Sequence, residues 1–203
     1  MPLLIGSENH GDTLQKVLVP TFSMGHNPIG LVGMSEVDRL IEKGILVECD
    51  GKKIYALKGR ALGFICADPS LQEHKIRILN REGPLSIWSQ SACGLRFDPY
   101  GPFQKGAENE IQEIIKFLDG AGSHHFKLRA AVFGAHAPCG MVLGMSLEDI
   151  CRTVASGAQY FKTRTGLDIA IPTIFINAEV RISPHLPPQQ ILLWMYINKE
   201  AVL

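Results

Sequence analysis

Five segments of this chain are mainly apolar, with no alternating polar side: "ALGFIC" (61–66), "PLSIW" (84–88), "LRAAVFG" (128–134), "IPTIFINA" (171–178) and "ILLWMYI" (191–197). Between them lie stretches with helical spacing. "SLQEHKIRILNREG" repeats through Leu71, Ile76 and Leu79, and "AENEIQEIIKFLDG" puts Ile111, Ile114, Ile115 and Leu118 on one face. "SLEDICRTVASGAQYFKTRTG" opens with Ser146 and Asp149 at capping-box spacing. Strands with no polar side, alternating with amphipathic helices, need cover on both faces. The pattern predicts an α/β fold, with an open, mainly parallel sheet of about five strands covered by helices on both faces.

The first 60 residues read differently. Residues 1 to about 34 are rich in Gly, Pro, Asn and Ser, as an irregular arm would be. "SEVDRLIEKG" follows, with Ser35 placed to cap a short helix and Gly44 to end it. "ILVECDGKKIYAL" alternates around Asp50-Gly51, which predicts a β-hairpin. The expected division is therefore 1–60, an arm with a short helix and hairpin, and 61–203, an α/β domain carrying the chemistry.

Lys+Arg and Asp+Glu both number 20. Phosphate binding requires a basic excess, so the balance argues against nucleic acid and against a membrane surface. No apolar run approaches the roughly 18 residues of a membrane span. The start, "MPLLIGSENHGD", lacks the basic and apolar regions of an export signal. The expectation is a cytoplasmic protein. There, five cysteines at irregular spacing suggest metal binding, reactivity or burial rather than a disulfide framework.

In an open α/β sheet, ligands bind beyond the carboxyl ends of the strands. Cys66 ends the first apolar strand and Asp68 follows in "FICADPS"; His136 and Cys139 follow the third in "FGAHAPCG". If those strands are neighbours, two sulfurs and one imidazole converge. That donor set suits tetrahedral zinc, and three protein ligands leave one position open. Gly134 and Gly140 bracket the His-x-x-Cys and leave room for its backbone. Cys139 and His136 could instead be the nucleophile and base of a hydrolase. Three residues apart on one turn is poor geometry for that pair, and no acid partner is evident.

"CAD" followed by "HAPCG" resembles the β-class carbonic anhydrases, whose pattern is Cys-x-Asp-x-Arg after one strand and His-x-x-Cys-Gly after a later one. "RILNREGPLSIWSQSACG" and "NEIQEIIKFLDGAGSHHFKLRAAVFGAHAPCG" resemble the intervening segments, so the likeness covers about residues 61–178. It implies that Cys66, His136 and Cys139 bind Zn²⁺ and that Asp68 is the catalytic carboxylate. Zinc would lower the pKa of its bound water, and the resulting hydroxide would convert carbon dioxide reversibly to bicarbonate. Carbonyl sulfide is a small analogue of the same substrate.

The resemblance also implies a homodimer or higher homo-oligomer. The family's arginine two residues past the aspartate is Ser70 here, and its Arg-Asn-Ala-Gly reads "SACG". Without the arginine, Asp68 could close the fourth zinc position, which implies a non-catalytic zinc-binding homologue with a structural or regulatory role. Arg96 could replace the missing charge. The remaining candidates have ordinary readings: His124 and His125 as solvated loop residues, His74 as a helical surface residue, Cys93 as a thiol near the site and Cys151 as core. His26 and His185 stand in loops, and Cys49 in the expected hairpin.

Overall fold

A computed structural model provides the three-dimensional structure. It describes residues 16–18, 30–49, 52–57, 61–67, 86–90, 93–122, 128–181, 183–185 and 187–203. The fold is α/β, built on one open mixed sheet of eight strands. In chain order these are β1 (Lys16–Leu18), β2 (Val32–Gly33), β3 (Leu46–Glu48), β4 (Ala61–Cys66), β5 (Ser86–Gln90), β6 (Ala130–Ala137), β7 (Ile169–Val180) and β8 (Gln189–Ile197). The helices are α1 (Met34–Glu42), α2 (Lys52–Tyr55), α3 (Gln104–Gly122), α4 (Leu147–Thr165) and α5 (Lys199–Val202).

The strand order is β1-β8-β7-β6-β4-β5, with β2 beside β7 and β3 beside β8. Strands β5, β4, β6 and β7 run parallel to one another. Strand β8 runs antiparallel to β7, and β1 and β3 antiparallel to β8. A reason for the reversal at β8 lies in chain length. A parallel crossover needs about a dozen residues or more, and only residues 181–188 join β7 to β8. Each of the five apolar segments contributes to a strand, and the all-buried patterns of β4 and β6 show why they lack a polar side.

The two faces are covered unequally among the described residues. One buries Val37 and Leu40 of α1, Ile111 and Ile114 of α3, Ile150, Val154 and Phe161 of α4, and Val202 of α5. The other packs Ile54 of α2 with Cys49, Phe175 and Trp194. The helix expected over "SLQEHKIRILNREG" lies outside the described residues.

Helix α4 follows its sequence signals. The Ser146 hydroxyl accepts from the Asp149 backbone N–H at 3.1 Å, and Gly166 ends the helix in the left-handed region at φ 70. The carboxylate of Glu36, on α1, accepts from the Leu147 backbone N–H, supplying a second acceptor at the same terminus.

Two local expectations fail in the N-terminal part. The hairpin expected over residues 45–57 does not form: Lys52–Tyr55 is helical, and Leu46–Glu48 pairs with β8 instead. The free edge of β8 supplies a longer-range partner for this short apolar piece, which outweighs the local Asp-Gly turn signal. Ser35 is not the cap of α1, because the helix begins one residue before it and Gly33 holds the cap position. Gly44, in contrast, does follow the helix with φ +69, as a C-terminal glycine should. Strands β1, β2 and β3, all within residues 1–60, belong to the same sheet as the rest.

Helices α3 and α4 are tied together by Glu108. Its carboxylate accepts from the Arg164 guanidinium, from Tyr160 Oη at 2.9 Å and from Gln112 Nε2 at 3.0 Å. The Arg164 contact, followed by those of Gln112 and Tyr160, lowers the Glu108 pKa from 4.5 to about 2. A carboxyl group depressed on folding stabilises the native state above its unfolded pKa and loses that contribution as pH falls through the folded one. Urea midpoints of the wild type and Glu108→Gln should therefore differ at pH 7 and converge between pH 4.5 and about 2. A difference that stays constant across that window would show that the ionised carboxylate contributes nothing.

Candidate metal site

The parallel pairing of β4 with β6 brings the two sequence motifs together. Ile65 lies opposite Gly134, so one step further Cys66 reaches the level of Ala135 and stands beside His136. The chain then turns through Pro138, whose peptide bond with Ala137 is cis, and delivers Cys139 to the same edge. A 3-10 turn, Gly140–Val142, follows and leads toward α4.

The Cys66 and Cys139 sulfurs and an imidazole nitrogen of His136 lie within 4.8 Å of one another. All three residues are buried, with His136 the most accessible at 8%. Tetrahedral zinc with Zn–S of about 2.3 Å and Zn–N of about 2.0 Å requires donor separations of roughly 3.5–3.8 Å. The cluster is thus no more than about an ångström wider than such a site. A group of two sulfurs and one imidazole can hold a metal ion.

Packing holds the strands that carry the cluster in place. Phe64 of β4, Phe97, Phe133 of β6 and Phe161 of α4 form one aromatic cluster, with ring centroids 5.0–5.6 Å apart and no exposed surface. Phe64 is two residues before Cys66, and Phe133 three before His136. Opposite Phe133 stands Pro172 of β7, which has no N–H for the ladder. The buried Thr173 hydroxyl donates to the Phe133 carbonyl at 2.8 Å. At Gly134, an added Cβ would lie 3.0 Å from the Phe175 ring and 3.3 Å from the Phe64 carbonyl. The absence of a side chain at Gly134 thus leaves room for the Phe175 ring over β6.

Gly94 has a role that the sequence reading did not assign. It sits in the 3-10 turn Cys93–Leu95, and a Cβ there would lie 2.7 Å from the Ala135 nitrogen and 3.1 Å from the Gly134 carbonyl carbon. Those are backbone atoms immediately before His136, so they cannot move aside without moving that residue. Gly94→Ala is expected to cost about 1–3 kcal/mol and to weaken metal binding about tenfold. Denaturant midpoints and a zinc titration measure the two effects. Gly120→Ala, where the added atom meets nothing within 4 Å, is the control and should lose neither.

The other named residues divide as follows. Asp68, Ser70, His26, His74, His124 and His125 lie outside the described residues, as does the side chain of Cys93. Cys151 is fully buried on α4; burial, with Glu148 and Glu36 adding to it, pushes its thiol up to about 12. It is a core residue, as expected. Cys49 is buried on the opposite face. His185 is exposed, and its backbone N–H donates to Ser183. Arg96 Nε donates to Glu110 at 2.6 Å, which commits that guanidinium to α3.

Comparison with protein-family models, curated proteins and solved structures finds no match to this chain. Among the described residues, no helix is long and apolar enough to cross a membrane.

Proposed function

We propose that the chain binds zinc through Cys66, His136 and Cys139 and is a lyase of the β-carbonic anhydrase type, hydrating carbon dioxide to bicarbonate. The convergence of two sulfurs and one imidazole within 4.8 Å, at the carboxyl end of parallel strands, carries this reading. Soft sulfur with borderline nitrogen favours zinc over magnesium or calcium, which take oxygen donors. Bound zinc would act as a Lewis acid that lets water ionise near neutral pH.

The chain's own residues supply the rest. Cys66, His136 and Cys139 hold the ion in a buried setting where electrostatic interactions are stronger than in water. Asp68, by its place two residues past Cys66, is the carboxylate that would accept a hydrogen bond from the attacking hydroxyl and orient it. Three protein ligands leave one position for that chemistry.

A second reading is supported by Ser70, which stands where the resembled family has an arginine beside the aspartate. Unrestrained by that partner, Asp68 would take the fourth position, and the protein would be a zinc-binding homologue without catalysis. Stopped-flow carbon dioxide hydration with the zinc-loaded chain separates the two. Hydration above buffer background that disappears in Cys139→Ser supports the lyase. One zinc per chain with no hydration at any pH supports the second reading, in which case Ser70→Arg should restore turnover.

A further inference from the structure

The two cysteine sulfurs of the cluster have a second chemistry open to them. Cys66 closes β4, and Cys139 stands two residues past the end of the neighbouring β6. Cys66 stands level with Ala135, and the turn after β6 brings the Cys139 sulfur back to the same edge. The sulfurs themselves are at most 4.8 Å apart. A disulfide requires about 2.05 Å, and a change of one cysteine between staggered χ1 wells moves its sulfur by about 3 Å. The link is therefore within reach of side-chain rotation and a small backbone adjustment.

We infer that Cys66 and Cys139 form a peroxide-responsive dithiol, in which disulfide formation and metal loading exclude each other. The exclusion rests on the zinc reading above; the capacity to form the link does not. The residues retain only 3% and 4% of their surface, so a bulky disulfide such as oxidised glutathione is shut out and hydrogen peroxide is the fitting oxidant class. In the first step one sulfur attacks a peroxide oxygen, the O–O bond breaks, and a sulfenic acid and one water result. In the second, the other sulfur attacks the sulfenic sulfur, the S–O bond breaks, and a disulfide and a second water form. Two thiols lose two electrons and two protons, and the peroxide is reduced to two waters. A disulfide no longer offers the two thiolates that hold zinc, so the oxidised chain releases the ion. Zinc occupying both sulfurs withholds them from the oxidant.

Cys151 provides an internal reference. It is fully buried on α4 and its thiol is pushed up to about 12, so it has little thiolate to react.

The test uses the full chain, stripped with a chelator or loaded with zinc, exposed to equal hydrogen peroxide, then denatured, alkylated and mapped by mass spectrometry. The stripped chain should yield a Cys66–Cys139 linked peptide pair, two hydrogens lighter, with Cys151 alkylated. The loaded chain should react at least about tenfold more slowly and release one zinc per link formed. Dithiothreitol should restore zinc uptake, and Cys66→Ser should abolish the link.

Accumulation of sulfinic acid without a link, a link through Cys93 instead, or equal rates in the two forms would overturn the proposal. A direct zinc titration separates the two readings. A chain that forms the link but takes up no zinc defeats the zinc reading, and with it the exclusion, while retaining the dithiol. One that takes up zinc but forms no link defeats the dithiol alone.

Discussion

Replacing Cys66, His136 or Cys139 singly is expected to lower zinc affinity on the order of 100-fold or more. Structural zinc sites are worth about 10–16 kcal/mol shared over their ligands, or several kcal/mol for each, and every 1.4 kcal/mol is tenfold. Cys66→Ser and Cys139→Ser are the informative substitutions. They keep the shape of a small buried side chain but exchange a thiol for a hydroxyl that does not ionise near neutral pH. Competition against a chromophoric chelator reads the affinity, and cobalt substitution reads the ligand set. Each serine variant should weaken the thiolate-to-cobalt absorption, whereas His136→Ala should lower affinity with that absorption retained. Wild-type affinity in any of the three variants would remove that residue from the site. The same binding should appear as stability: zinc at 100 times its dissociation constant adds about 2.7 kcal/mol to the folded state.

Phe64→Ala should produce the largest loss of stability, about 3–5 kcal/mol. The ring contacts Phe97, Phe133 and Phe161 at centroid distances of 5.0–5.2 Å, so its removal opens a cavity bordered by three other rings. For a domain of this size the corresponding fall in melting temperature is on the order of 10 °C. Phe64→Leu keeps most of the apolar volume and should recover more than half of the loss. Zinc affinity should fall less than in a ligand variant, because the donors remain while the strands that hold them gain freedom. A stability loss below about 1 kcal/mol would show that the cluster relaxes around the missing ring.

Local signals were readable in the chain where a few adjacent residues decide the outcome. The five mainly apolar segments correspond to strands β4–β8, and β4 and β6 are buried along their whole length, which leaves few positions for polar side chains. Helix α4 is capped by Ser146 and by Gly166 because hydroxyl capping and a left-handed terminal residue are properties of single positions. Cys66, His136 and Cys139 were candidates because strand ends in a parallel sheet share one edge. Asp50-Gly51 misled: the alternation around it predicts a hairpin, but the segment after it is helical and the strand before it pairs with residues 195–197.

Gly94 shows the other limit. Nothing in "SACGL" announces that its turn presses on the backbone before His136, since that contact joins segments some 40 residues apart.

By itself, then, the sequence determined where strands and helices lie over most of residues 61–203, and which side chains have the chemistry to hold a soft metal. Only the tertiary structure decided that β4 and β6 are neighbours, that β8 reverses direction, and that three donor atoms meet within 4.8 Å. Periodicity and capping are settled within a few residues of chain. Strand adjacency is settled by how buried surfaces compete for one another across the whole fold, and no short stretch of sequence contains that competition.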